Sequence, residues 1–199
     1  MSDAPTTHLE NALQGASDTL SAFMADGELM AAVIRFAQEA EATLRRGGKL
    51  LSCGNGGSMC DAMHFAEEWT GRFRGDRPAQ PALALSDPAR LSCNANDFGY
   101  DEIFARDVQA FGKQGDLLLA ISTSGQSINV LRACEEARAQ GLVVVGLLGN
   151  GGGDMASKVD IPIVVPMATT SDRIQEMHIK IIHATIELVE RQMFPEHYA

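Results

Sequence analysis

Basic residues are in short supply: 16 Lys and Arg stand against 26 Asp and Glu, a formal net charge of −10 at pH 7 over 199 residues. A nucleic-acid-binding surface needs many cations to neutralise phosphates, so this balance argues against a nucleic-acid partner. A small anion remains compatible, because a few backbone N–H groups at a helix start can hold one phosphate. Cysteine is scarce too. Cys53, Cys60, Cys93 and Cys134 form no CxxC pair, which speaks against a disulfide framework and predicts reduced, mostly buried thiols. No apolar run approaches the roughly 20 residues of a membrane-spanning helix. The first ten residues lack the basic-then-apolar pattern of a leader, so the expected compartment is the cytoplasm, with no membrane partner.

Hydrophobic residues make up 45% of the chain, enough for a folded core. Two helices are expected first, over 9–23 and 27–46. In the second, Leu29, Val33, Phe36 and Ala40 recur at helical spacing, and Gly47-Gly48 stops it. Five short apolar runs follow, at 49–53, 82–85, 116–121, 142–148 and 161–165. Several are continuous rather than alternating, as in strands buried on both faces. Helical segments at 58–73, 103–112 and 127–140 separate most of them, and a long one, 170–193, closes the chain. This alternation predicts an α/β fold: a doubly wound, five-stranded, largely parallel sheet flanked by helices. The whole chain, 1–199, reads as a single domain, with an N-terminal helical segment over about 8–46 and an α/β core over about 47–194.

A strand–loop–helix pattern occurs twice, through Gly54-Asn55-Gly56-Gly57-Ser58 and through Ser122-Thr123-Ser124-Gly125-Gln126-Ser127; Asn150-Gly151-Gly152-Gly153 follows a third strand. In such sheets ligands sit at the carboxyl ends of strands, where these loops lie. The serine loop carries four hydroxyls and a glycine within six residues. That composition suits a phosphate held without Lys or Arg, and equally suits a helix-capping loop. The glycine loop is neither GxGxxG nor a Walker loop, so no nucleotide is expected.

His64 and Glu68, four apart on one helix, share a face, with Glu67 on a neighbouring one; such a pair can bind a metal or move protons. On the last helix, both Gln175 and Glu176 project in much the same direction as His183, and spacing alone does not choose between them. His178 lies about 140° around the helix from His183 by the 3.6-residue period.

Taken together and in order, Gly54–Ser58, Asp61, His64, Glu68, Gly71-Arg72, Asn96-Asp97, Ser122–Gly125, Ser127 and Arg173–Glu176 with His183 resemble the phosphoheptose isomerases of the sugar isomerase (SIS) fold. The resemblance runs from about residue 8 to 194. It implies conversion of sedoheptulose 7-phosphate to D-glycero-D-manno-heptose 7-phosphate, a step toward the ADP-heptose of lipopolysaccharide core. It implies a homotetramer with sites at subunit interfaces. By the same resemblance Glu68 and His183 are the catalytic acid/base pair, and His64, Glu68, Gln175 and His183 hold one zinc per subunit. Ser122, Thr123, Ser124 and Ser127 would hold the phosphate. Asn55, Gly56, Gly57, Ser58, Asn96, Asp97 and Gln175 would line the sugar site, with Glu68, Arg72 and Asp172 as further substrate contacts. The competing expectation is a non-catalytic SIS-fold scaffold that binds the replication initiator DnaA; the presence of both Glu68 and His183 favours the enzyme.

Overall fold

The computed structural model describes residues 4–198. Helix α1 (Ala4–Ala25) and helix α2 (Gly27–Arg45) come first. Asp26 separates them: its carboxylate accepts the N–H groups of Glu28 and Leu29 at 2.9 and 3.1 Å, capping α2. Then follow β1 (Leu50–Gly54), α3 (Gly57–Thr70), β2 (Ala82–Ala84), α4 (Pro88–Phe98), α5 (Ile103–Phe111), β3 (Leu117–Ser122), α6 (Ile128–Ala139), β4 (Val143–Leu148), β5 (Ile161–Val164) and α7 (Ser171–Met193).

The five strands lie in the order β2-β1-β3-β4-β5, and every pairing is parallel. Residues of β3 alternate strictly between two apolar cores. Leu117, Leu119 and Ile121 join α2, α3 and α7 on one face. Leu118 and Ala120 join α5 and α6 on the other. Both faces are buried, which is why the strand reads as an unbroken apolar run rather than an alternating one.

Two expectations are corrected. Helix α3 ends at Thr70 rather than at Phe73, and Gly71 leads the chain into an irregular segment up to Arg77. Helix α4 was not legible as a separate element. Asp87 caps it through the Arg90 N–H at 2.8 Å and Pro88 opens it; none of its residues is fully buried, and only Leu91 and Ala95 pack, in part, against the core beneath.

The order reverses between β1 and β3, the switch point of a doubly wound sheet. The loops after β1 and β3 therefore flank one crevice. Helix α7 packs across α2 and α3 and brings the end of the chain to the same region.

Candidate active site

Helix α3 is held by its apolar side. Phe65 stacks on Phe36 of α2 and, edge to face, on Trp69, with ring centroids 6.1 and 5.9 Å apart. His64 and Glu68 are thereby turned toward α7. The His64 Nε2 lies 3.0 Å from Glu68 Oε1 and 3.7 Å from Glu67 Oε1. Glu67 is 65% exposed and Glu68 16%, so Glu68 is the inner carboxylate. From α7, the His183 Nε2 comes within 3.3 Å of His64 Nε2, and the Phe73 ring covers His183 at 5.7 Å. Burial, then the charges of His64 and Arg74, hold the His183 imidazolium below its ordinary acidity range, against an opposing pull from Glu68.

Three ligand atoms, one each from His64, Glu68 and His183, lie within 4.8 Å of one another. Four donors at about 2.0–2.1 Å from a single zinc stand about 3.3 Å from one another in a tetrahedron. The observed spacings of 3.0 and 3.3 Å match that requirement. Two imidazoles and one carboxylate also form a donor set found at catalytic zinc sites.

The structure separates Gln175 from Glu176. Glu176 is ion-paired with Arg173 at 2.6 Å. The Gln175 amide lies over the start of α3: a Cβ on Gly57 would sit 2.5 Å from its Nε2 and 2.7 Å from its Oε1. A side chain at 57 would displace the Gln175 amide from this position. His178 is fully buried elsewhere, its Nε2 donating to the Leu148 carbonyl at 3.3 Å, and burial pushes its pKa down to about 4. Asp61, one turn before His64, keeps one carboxylate oxygen buried without a partner among the described residues, and burial pushes its pKa up to about 6.

The serine loop is preorganised. Ser122 Oγ accepts the Gly125 N–H at 3.1 Å and lies 3.1 Å from Ser127 Oγ. Ser124 Oγ accepts the Gln126 N–H at 3.1 Å, and Thr123 Oγ1 meets Ser171 Oγ of α7 at 3.2 Å. The Ser127 hydroxyl makes no capping bond to α6, which weakens the simple capping explanation of this loop. The loop after β4 braces it from behind. Asn150 Nδ2 donates to the Thr123 carbonyl at 3.1 Å, and the Met155 N–H donates to the Gly125 carbonyl at 3.1 Å. Gly125 has φ +65°, and a Cβ there would lie 2.0 Å from the Gly152 carbonyl oxygen.

The remaining expected residues fall at varied depths. Gly56 and Gly57 are exposed at the start of α3, while Ser58 is buried beneath Gly54. Asn96 and Asp97 are exposed on α4, bonded to each other at 2.8 Å. Arg72 is exposed just past α3, and Asp172 is exposed in the first turn of α7. A hydrogen bond from Thr170, then the Arg173 N–H, lowers the Asp172 carboxyl pKa. Only Cys53 and Cys134 are buried; Cys60 and Cys93 are exposed, a correction to the expectation of mostly buried thiols. Both lie on the outer sides of helices whose inner faces are filled by other residues. Sequence reasoning missed Phe73, Tyr100, Asn129 and Asn150. Two of them left a trace: Asn150 opens the glycine run after β4, and Asn129 is an amide two residues past the serine loop.

Residues 8–149 match the family model described as SIS domain. The chain is 54% identical over 185 residues to the phosphoheptose isomerase of Edwardsiella ictaluri, covering 93% of this chain and 96% of that protein. It is 53% identical, with the same coverage, to the phosphoheptose isomerase of Yersinia enterocolitica. Among solved structures, phosphoheptose isomerase from Francisella tularensis superposes with a TM-score of 0.85 at 34% identity, covering 96% of this chain and all of that one. Phosphoheptose isomerase GmhA from Neisseria gonorrhoeae gives 0.82 at 33% identity, covering 94% and 97%.

Proposed function

The chain belongs to the phosphoheptose isomerase family of SIS-domain proteins, and from that membership we propose how its own residues carry out the isomerisation. The reaction interconverts sedoheptulose 7-phosphate and D-glycero-D-manno-heptose 7-phosphate, the entry to ADP-heptose for lipopolysaccharide core. The observation that carries the reading is the meeting of His64 and Glu68 on α3 with His183 on α7. A non-catalytic scaffold binding DnaA has no use for such a cluster, and no relative named above is of that kind.

Ketose–aldose exchange moves a proton from C1 to C2 and shifts the carbonyl the other way through an enediol. Glu68 takes the C1 proton and returns it at C2. His183 takes the proton from O1 and delivers one to O2. A shared proton of this kind needs an imidazole that is neutral at rest, and the burial that lowers the His183 pKa supports this. Ser122, Thr123, Ser124 and Ser127, with the N–H groups at the start of α6, grip the phosphate and set the reacting carbons against Glu68. Asn55, Gly56, Gly57, Ser58, Asn96, Asp97 and Gln175 line the sugar, with Arg72 and Asp172 at the edge. His64, Glu68, Gln175 and His183 would hold zinc, which when bound would supply Lewis-acid polarisation of the substrate carbonyl.

The reading also takes the chain as one cytoplasmic domain assembled into a homotetramer. Exposed Met24, Met30, Ile34 and Leu188 line one apolar groove between α1, α2 and α7 and support an assembled form, since such a patch is costly to leave in water. The decisive experiment is incubation of the purified protein with sedoheptulose 7-phosphate, with and without added zinc, followed by NMR. Appearance of the aldose is expected; its absence under both conditions overturns the reading.

A further inference from the structure

Asn129, in the first turn of α6, is 3% exposed. A buried amide is tolerated only when its hydrogen bonds are met, so its partners are informative. Asn129 Oδ1 accepts the Val130 N–H at 2.9 Å and Asn55 Nδ2 at 2.8 Å. Its Nδ2 donates to Asn55 Oδ1 at 2.9 Å. The two side chains, 74 residues apart in sequence, thus form a reciprocal amide pair across the β1/β3 crevice. A backbone N–H only donates. The Val130 contact therefore identifies the oxygen of Asn129, and the pairing then identifies the oxygen and nitrogen of Asn55.

Asn55 Oδ1 accepts a second bond, from the Tyr100 hydroxyl at 3.1 Å. An amide oxygen has two acceptor sites and an amide nitrogen two hydrogens. Both acceptor sites of Asn55 are spent and one hydrogen is spent, leaving a single N–H. Asn55 can therefore meet a ligand only as a donor.

We propose that Asn129 is a positioning residue that locks the Asn55 amide so that it offers one N–H, and no acceptor, to an oxygen of the bound sugar phosphate. This rests on the assignment of Asn55 to the sugar site. Tyr100 completes the lock and ties the end of the Asn96-Asp97 segment to the glycine loop. Without Asn129, the Asn55 amide is free to rotate, and its oxygen competes for the position its N–H now holds.

The test is steady-state kinetics on sedoheptulose 7-phosphate for Asn55→Ala, Asn129→Ala and the double variant, with thermal melting alongside. Asn129→Ala should raise KM roughly five- to tenfold, the worth of about one hydrogen bond, with a smaller change in kcat. In the Asn55→Ala background the same change should add little, because nothing remains to be positioned. Full additivity in the double variant overturns the proposal, since it makes Asn129 merely structural. A wild-type KM in Asn129→Ala beside an impaired Asn55→Ala overturns the role of Asn129 alone. A wild-type KM in Asn55→Ala removes Asn55 from the sugar site and the proposal with it. If Asn129→Ala does not fold, Asn129→Asp retains the size and the acceptor while facing Asn55 Oδ1 with a second oxygen. It should show the same rise in KM, and an unchanged KM there overturns the proposal.

Discussion

Arg77 and Glu190 form an ion pair at 2.5 Å with both side chains almost wholly buried, and this pair fastens the two helices that carry the candidate catalytic groups. The guanidinium also donates to the backbone carbonyls of Glu68 and Trp69, at 2.7 and 2.8 Å, closing the end of α3. The Tyr198 hydroxyl donates to the other Glu190 oxygen at 2.8 Å. All three guanidinium nitrogens and both Glu190 oxygens thus have partners, as a buried ion pair requires.

Arg77→Met should therefore cost about 3–5 kcal/mol, because it strands a buried carboxylate and uncaps α3. For a chain of this size that corresponds to a fall in Tm of about 6–20 °C. Differential scanning calorimetry of the variant decides it, and an unchanged Tm would mean that the pair contributes nothing to stability.

Glu68→Gln should leave the fold intact and lower kcat by roughly 10²–10⁴-fold, the usual worth of a general base. Glu67→Gln should have little effect, since Glu67 stands 3.7 Å from His64 and out in solvent. Comparing the two turnover numbers tests which carboxylate is used, and equal losses would remove the distinction.

Dialysis against a chelator should lower activity, and zinc should restore it. Elemental analysis should find less zinc retained by His183→Ala. His178→Ala should retain it, because that imidazole is spent on the Leu148 carbonyl on the far side of α7. Full activity in protein shown to be metal-free would leave Glu68 and His183 as an acid/base pair and eliminate catalytic zinc.

Ser124→Ala should weaken binding of the phosphorylated sugar by about 1.5–3 kcal/mol, the loss of one charge-assisted hydrogen bond. Its hydroxyl is exposed and holds the Gln126 N–H, with only a long 3.5 Å contact to Ser122 Oγ besides, so the Tm should barely move. Isothermal titration with the phosphorylated sugar and with its dephosphorylated analogue separates the effects; equal losses for both would take the phosphate away from this loop.

In the acid range, stability of the metal-free protein should carry opposed pH dependences, the largest from His178 and Asp61. The unfolded chain protonates an imidazole below about 6.5, whereas folded His178 resists until about pH 4. Its contribution, about 3 kcal/mol, is complete above pH 6.5 and is lost as pH falls toward 4. Folded Asp61 stays protonated up to about pH 6, against 3.8 in the unfolded chain. Its contribution is complete below 3.8 and is lost as pH rises through 6, and solvent screening makes it the smaller of the two. Urea midpoints should therefore rise from pH 4 to 6.5 in the wild type. In His178→Gln that rise should flatten or reverse, and a wild-type slope there would remove His178 as its source.

Much of the fold was determined by local pattern. Unbroken apolar runs such as Leu117–Ile121 mark strands buried on both faces, and the helical repeat of α2 shows its inner side, because burial imposes a period the sequence must carry. The loops rich in glycine and serine were legible for the same reason, since tight turns and anion contacts restrict residue type. Helix α4 was not legible, because its core-facing side amounts to little more than Leu91 and Ala95, too short a repeat to stand out among its polar residues. The sequence alone placed His64 with Glu68, four residues apart on one helix, but could not choose between Glu67 and Glu68 or between Gln175 and Glu176. The packing of α7 on α3 leaves Glu67 in solvent and lays Gln175 over Gly57, while Glu176 pairs with Arg173 within α7 itself. The approach of His64 to His183, and of Asn55 to Asn129, joins segments 119 and 74 residues apart. No local periodicity records such a distance; only the closing of the sheet and the burial of α7 against it bring those side chains into reach.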